Sequence, residues 1–247
     1  IIKAKVACKI ECLRNDDILA FVRPFNLSST PLVRIGYYKN TIMLDVHHII
    51  TDGESMPVFL NELNDLYMGR ELNDAPVQYK RFSIEKQDYT ECRKYWLSVY
   101  NDELPELGIN TDFPRGQKQS FNGNAVYETI EIALHGKIVD KCKNLKITPF
   151  VFYVSAFNIL LSKFSGDEDV VIGVPISGRK NKYLSTIGMF VNTIALRNKP
   201  IGSKKVSEFI QEVKENSVNA IANQDYPFGE LVKELKIDAQ NRNPLFD

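Results

Sequence analysis

Neither sign of charge predominates in this chain, in which 31 Lys and Arg balance 31 Asp and Glu. No global excess therefore favours nucleic acid or an anionic membrane surface. Long hydrophobic runs are missing too. The longest apolar stretch, Pro149 to Leu161, is broken by Ser155 and Asn158 and falls short of the ~20 residues a spanning helix needs. No charged-then-apolar leader opens the sequence; it begins Ile1-Ile2-Lys3 without methionine, which reads as a piece of something longer. Cysteine is sparse: Cys8, Cys12, Cys92 and Cys142 show no Cys-x-x-Cys spacing, which excludes the usual zinc and thioredoxin-type patterns. Cys8 and Cys12, on one strand at ~3.3 Å rise per residue, are too far apart for a disulfide. Reduced thiols in a cytoplasmic protein are expected, and the Asn26-Leu27-Ser28 sequon is then a chance match. Tandem repeats and low-complexity segments are absent.

What is present is a hydrophobic content of 44% over 247 residues, enough for one large or two ordinary domains with a sizeable core. Strands and helices mix without strict alternation, so the expected class is α/β of the mixed α+β kind. A strand is expected over 3–12 and a short helix near 16–22. Leu32 to Tyr38 and Thr41 to His47, joined by Lys39-Asn40, read as a hairpin. Met56, Phe59, Leu60, Leu63, Leu66 and Tyr67 have the spacing of a helix packed on that sheet, and they are expected in the core. After a loop over 69–76, a second helix is expected over 83–101 with Tyr95 and Trp96 buried. Pro105, Gly108, Pro114, Gly116 and Gly123 then cluster among polar residues, which puts a boundary between 1–110 and 111–247. Beyond it a strand is expected over 126–134 and a helix over 137–143. A mostly apolar helix follows, capped by Thr148 with Pro149 in its first position and expected to be buried on several sides. Strands over 169–173 and 188–197 and helices over 203–223 and 228–235 complete the chain.

Histidine is also scarce, which makes its placement informative: of His47, His48 and His135, two are adjacent and are followed by Asp52-Gly53. Imidazoles are the side chains best suited to proton transfer near neutral pH. A metal-binding facial triad is disfavoured, because an extended strand sends adjacent side chains to opposite faces. One histidine should face a pocket and the other a core, and a purely structural pair is the alternative reading. Gly53 permits a tight turn or close approach of a ligand. Asp52 suits either a helix N-cap or a pairing with a buried arginine. Gly173 to Lys180 imitates a phosphate-binding loop, but no lysine directly follows Gly178 and Pro175 removes an N–H the cradle would use.

His47-His48-x-x-x-Asp52-Gly53 resembles the signature of the condensation domains of nonribosomal peptide synthetases, within the chloramphenicol-acetyltransferase-like superfamily. Three further stretches agree in order: Ile187 to Thr193 with Arg197, Asn223 to Phe228, and Arg242 to Leu245. Phe25 to Ser28, Tyr79-Lys80 and Gly178-Arg179 are also similar to family positions. The chain departs from the pattern at Arg81 and at Glu85-Lys86, where an acidic residue and a Trp-Gln pair are usual.

The resemblance implies two acetyltransferase-like lobes, each a mixed sheet packed with helices and both truncated. Residues 1–110 would be the C-terminal part of the first lobe, and 111–247 the N-terminal part of the second. It implies an acyltransferase that makes an amide bond between a donor acyl or peptidyl thioester and an acceptor aminoacyl thioester. Both are carried on the phosphopantetheine arms of carrier domains, with an adenylation domain as neighbour. No intrinsic cofactor, metal, nucleic acid or membrane is expected, and this piece alone is not expected to be fully active. By the same resemblance His48 and Gly53 carry catalysis, Gly53 by backbone donation to a developing oxyanion. His47, Asp52 and Arg179 support the site, with Asp52 and Arg179 paired; Asn192, Asn223 and Asp225 are candidates to shape the lobe interface, with a purely structural role as the alternative. His48 can act as general base or position the amine. Freeing an amine at neutral pH costs only about 1 kcal/mol, whereas orientation contributes roughly 7–11 kcal/mol, so positioning is favoured. An acyltransferase using a soluble acyl thioester and a non-catalytic carrier-binding scaffold are the alternatives.

Overall fold

The computed structural model describes residues 7–13, 18–72, 76–114, 123–237 and 243–246. The starts of the strand expected over 3–12 and of the helix expected over 16–22 lie outside the described residues. So do parts of the 69–76 loop and of the Pro/Gly-rich connection, and Arg242. The chain forms two compact units, 1–87 with 177–191 and 88–176 with 192–247.

In the first unit β1 (Ile10–Cys12) pairs parallel with β2 (Val33–Tyr38), which pairs antiparallel with β3 (Thr41–Val46). The hairpin forms about Lys39-Asn40 as expected, and Lys39 takes the left-handed conformation of its tight turn. A short helix, α1 (Ile18–Phe21), lies against the sheet: a Cβ on Gly36 of β2 would stand 2.7 Å from the Phe21 ring. A 3-10 turn (His48–Ile50) follows β3, and then come α2 (Ser55–Tyr67) and α3 (Tyr79–Ile84). Leu60, Leu63, Leu66 and Tyr67 of α2 are exposed rather than core, Tyr67 by 88%. Periodicity fixes which residues share a stripe, whereas cover for that stripe depends on tertiary neighbours.

The helix expected over 83–101 is two helices, α3 and α4 (Thr90–Val99). The break at 85–89 is held by side chains: Glu85 accepts from Tyr183 Oη, and Asp88 Oδ1 accepts from the Thr90 N–H at 3.0 Å. One change of compact unit falls within this break, between Gln87 and Asp88. The reason is local to the second unit, where Trp96 and Tyr100 of α4 are buried in the core and Arg197 gathers the Val99 and Glu103 carbonyls.

That second unit contains α5 (Ile132–Leu145), α6 (Pro149–Ser165), β4 (Val170–Ile176), β5 (Asn192–Asn198), α7 (Val206–Ala222) and α8 (Phe228–Glu234). β4 and β5 pair antiparallel, and α6 and α7 pack on them. The strand expected over 126–134 does not form: 123–131 is irregular, without a ladder partner among the described residues, and the helix begins at Ile132. An isolated extended segment leaves its backbone groups to water. The strand expected over 188–197 shortens to β5, which frees 187–191 to serve the first unit. Thr148 caps α6 as expected, its side chain accepting from the Val151 N–H. Only one face of α6 is buried, however, through Val151, Val154, Ser155 and Asn158, while Phe157, Leu160 and Phe164 on other faces are exposed. Among the described residues no single helix is long and apolar enough to cross a membrane.

Candidate active site

β3 ends at Val46, one residue before the histidine pair, and the His47 N–H still donates to Leu32 O at 3.0 Å, extending the hairpin's pairing. His47 then caps the 3-10 turn: its Nδ1 accepts from the Ile49 N–H at 3.1 Å, which places the proton of a neutral ring on Nε2. His48 opens the turn and is exposed, whereas His47 is half-buried against Phe25. The two histidines differ in exposure, and a turn rather than a continued strand carries the second. With Nδ1 already engaged, His47 is poorly disposed to join His48 on a common metal.

Two residues after this turn, Asp52 enters a buried ion pair. The Asp52 and Arg179 side chains are 2% and 1% exposed, and Arg179 Nη2 donates to Asp52 Oδ1 at 2.6 Å. Asp52 Oδ1 also accepts from the Ser55 N–H at 2.9 Å and Ser55 Oγ at 2.8 Å, while Oδ2 accepts from the Phe190 N–H at 3.1 Å. Burial opposes ionisation of Asp52, but hydrogen bonds from Arg179, Phe190 and Ser55 outweigh it and hold the carboxyl below its ordinary value. The fork of Arg179 is used on its other arm too, with Nη1 donating to the Tyr183 and Thr186 carbonyls. Its guanidinium stacks on Phe190, 4.3 Å from the ring centroid. Arg179 Nε lies 3.4 Å from the exposed Glu54 carboxylate without hydrogen-bond alignment. The pairing expected of Asp52 with Arg179 is therefore present, and Asp52 also accepts the Ser55 N–H at the start of α2. The bridging role is filled, but the N-cap position of α2 belongs to Glu54, whose side chain makes no capping bond.

Two glycines are needed for this packing. Gly178 has φ of +54°, a left-handed conformation, immediately before Arg179. A Cβ on Gly188 would come 2.2 Å from the Tyr79 ring, whose hydroxyl donates to Met189 O at 2.7 Å. Gly53 differs from both: its φ is not positive, and a Cβ there would meet nothing within 4 Å. The chain's own packing does not require glycine at 53.

Ser55 escaped sequence reasoning. It is fully buried, its hydroxyl facing both Asp52 Oδ1 and the Gly188 carbonyl, while its oxygen accepts from the Gly188 N–H at 3.0 Å and Arg179 Nη2 at 2.8 Å. The available signal was Asp52-x-x-Ser55, an acid and a hydroxyl one helical turn apart at a helix start. Tyr183 and Thr186 were also missed. Both are buried, and Thr186 Oγ1 donates to Val77 O. In the second unit Asn192 Nδ2 donates to the Gln224 and Tyr226 carbonyls and its Oδ1 accepts from the Phe228 N–H. Asn223 O accepts from Trp96 Nε1 at 2.9 Å. These two asparagines staple 223–228 to β5 and α4.

A family model described as the condensation domain matches residues 3–247. The chain belongs to the condensation-domain family. It is 41% identical to bacitracin synthase 3 of Bacillus licheniformis over 97% of its own length, and 40% identical to tyrocidine synthase 3 of Brevibacillus parabrevis over 92%. It spans only 4% of the length of either relative. Among solved structures, holo-AB3403, a four-domain nonribosomal peptide synthetase, matches with a TM-score of 0.83 and 25% identity, covering 98% of this chain and 20% of that one. The X-domain from teicoplanin biosynthesis gives a TM-score of 0.83 at 18% identity, covering 98% of this chain and 60% of that one, a likeness of fold alone. The mixed α+β architecture is thus that of condensation domains, the chloramphenicol-acetyltransferase-like fold. In this condensation domain Arg179 of the phosphate-loop imitation is committed to Asp52, and only His48 of the histidine pair is exposed.

Proposed function

We propose that this condensation domain forms an amide bond between a donor acyl or peptidyl thioester and an acceptor aminoacyl thioester, each presented on the phosphopantetheine arm of a carrier domain. The carrying observation is the contrast at the His47–Gly53 corner: an exposed His48 on a turn whose foundation is a fully buried, fully hydrogen-bonded acid. A rigid base under one exposed imidazole suits orientation of a reactant, the contribution with the largest magnitude available here.

The acceptor nitrogen attacks the donor carbonyl carbon, forming a C–N bond and a tetrahedral oxyanion. Collapse breaks the C–S bond, and the proton lost by nitrogen is balanced by the one the departing sulfur takes up. His48 orients the amine and serves as the site for that proton in transit. Gly53 leaves room beside its backbone for the reacting carbonyl, whose oxyanion its N–H meets. His47, Asp52 and Arg179 hold the corner. Residues 1–110 and 111–247 are read as parts of successive acetyltransferase-like lobes. The working partners are donor and acceptor carrier domains and an adenylation domain in one cytoplasmic synthetase.

The test is a single-turnover condensation assay on the complete synthetase with both carriers loaded. His48→Ala should lower the rate constant at least about 100-fold without changing the unfolding midpoint, because the side chain is exposed. Near-normal turnover rejects the assignment. Turnover with a soluble acyl thioester equal to that with a carrier-bound donor favours the soluble-donor acyltransferase instead.

A further inference from the structure

Arg34 and Asp45 stand opposite each other across the β2–β3 ladder, and Arg34 Nη1 donates to Asp45 Oδ2, with the side chains only 13% and 17% exposed. His47 lies two residues beyond Asp45 in extended backbone, so its ring projects to the same face of the sheet. Phe25 fills the space between. Arg34 Cζ lies 3.7 Å from the Phe25 ring centroid, and the Phe25 and His47 rings meet edge-to-face with centroids 5.9 Å apart and planes at 83°. Phe25 itself is held by the guanidinium. Arg34 Nη1 donates to Arg23 O at 2.6 Å and Nη2 to Pro24 O at 2.9 Å, fixing the two residues that precede the ring. On the far side of Phe25, Asn26 closes a tight turn by accepting from the Ser28 and Ser29 N–H groups.

The result is one contiguous series: Asp45, Arg34, Phe25, His47, and then the Ile49 N–H of the turn that presents His48. Every link is directional. The arginine fork satisfies a carboxylate and two carbonyls at once, the cation lies on the ring face, and the edge-to-face contact restricts imidazole rotation. The last link depends on chemical form, since His47 Nδ1 accepts the Ile49 N–H only when it carries no proton. A ring that flips or samples the other tautomer would set N–H against N–H and loosen the first turn after β3.

We propose that Phe25 and Arg34 are positioning residues for His48. They hold His47 in its Nε2–H form with Nδ1 on the Ile49 N–H, and His47 in turn fixes the backbone from which His48 projects. This rests on the proposed role of His48, and the experiment separates the two.

The first arm is side-chain 15N NMR on the 247-residue chain, with signals assigned by His48→Ala and His135→Ala. The wild type should show His47 as a single Nε2–H tautomer with an acceptor Nδ1. Phe25→Leu and Arg34→Lys should give exchange-averaged tautomers at His47, and Phe25→Tyr should keep the wild-type pattern. Arg34→Lys retains a cation but lacks the fork, so charge alone should not restore the tautomer. The second arm is single-turnover condensation in the complete synthetase at saturating acceptor. Phe25→Leu and Arg34→Lys should slow it about 10- to 100-fold with little change in half-saturation, and Phe25→Tyr should restore it. His48→Ala, run in parallel, reports on the function itself. If His48→Ala abolishes turnover while Phe25→Leu and Arg34→Lys leave both the rate and the His47 tautomer as in wild type, this inference fails and the function stands. If His48→Ala turns over normally, the function fails, and the NMR arm still decides whether the two residues hold His47. Should Phe25→Leu unfold the chain, Arg34→Lys carries both readouts.

Discussion

Replacing Asp52 with asparagine keeps the size of the side chain and removes its charge, which isolates the electrostatic part of the corner. Asp52 accepts three hydrogen bonds at Oδ1 and one at Oδ2, all from donors. An asparagine oxygen can take the Oδ1 position, but its NH2 then points at the Phe190 N–H, 3.1 Å from where Oδ2 stood. Donor faces donor, and Arg179, 1% exposed, is left without a counter-charge beyond the exposed Glu54. Breaking one half of a buried pair costs about 3–5 kcal/mol, which at 1.4 kcal/mol per decade is at least about 100-fold in a local opening equilibrium. The assay is native-state hydrogen exchange at the Ser55 and Phe190 amides, both of which donate to this carboxylate. Each should exchange at least about 100-fold faster at pH 7 in Asp52→Asn. Trp96, the single tryptophan, lies in the second unit, so its fluorescence reports the transition of that unit, whereas Asp52 belongs to the first.

The pH dependence has a definite sign. The folded Asp52 carboxyl titrates below its ordinary 3.8, so its contribution is complete above that value and is lost as pH falls through the lower folded value. The difference between wild type and Asp52→Asn should therefore shrink on acidification below about pH 4 and stay constant from pH 5 to 7. Equal exchange rates in the two proteins at pH 7 would refute the bracing argument.

Three other outcomes follow from the same geometry. Gly53→Ala, with open space around the new methyl and no positive φ, should leave stability unchanged or raise it by about 0.4–1 kcal/mol. It should nonetheless slow condensation in the complete synthetase, so an unchanged rate removes Gly53 from the reaction. Ser55→Ala strips a buried hydroxyl from between Asp52, Arg179 and the Gly188 backbone, and urea titration should show a loss of about 1–3 kcal/mol. Leu66→Gln on the exposed stripe of α2 should change the stability of this chain by less than about 0.5 kcal/mol, whereas a loss above 2 kcal/mol would mean that the stripe is covered.

Local chemistry made a good part of this legible in the chain. The β2–β3 hairpin and the Thr148-Pro149 helix start each rest on neighbouring residues, whereas the Asp52–Arg179 pair was expected only from the family resemblance. Where expectation and structure part, the cause is tertiary. The strand expected over 126–134 lacks a ladder partner, and the helix expected over 83–101 breaks where Glu85 and Asp88 take other hydrogen-bond partners. The stripes of α2 and α6 have helical spacing but are only partly covered.

Residue order alone determined that an imidazole pair, a carboxylate and a glycine would meet at the end of a hairpin, because seven adjacent positions cannot be far apart. Only the folded chain decided which imidazole stays in water and which becomes a cap. It also brought Arg179 and Phe190, more than a hundred positions downstream, to satisfy Asp52. The physical reason is that a buried charge must find every one of its partners, and separation along the chain says nothing about which donors will be present when water leaves.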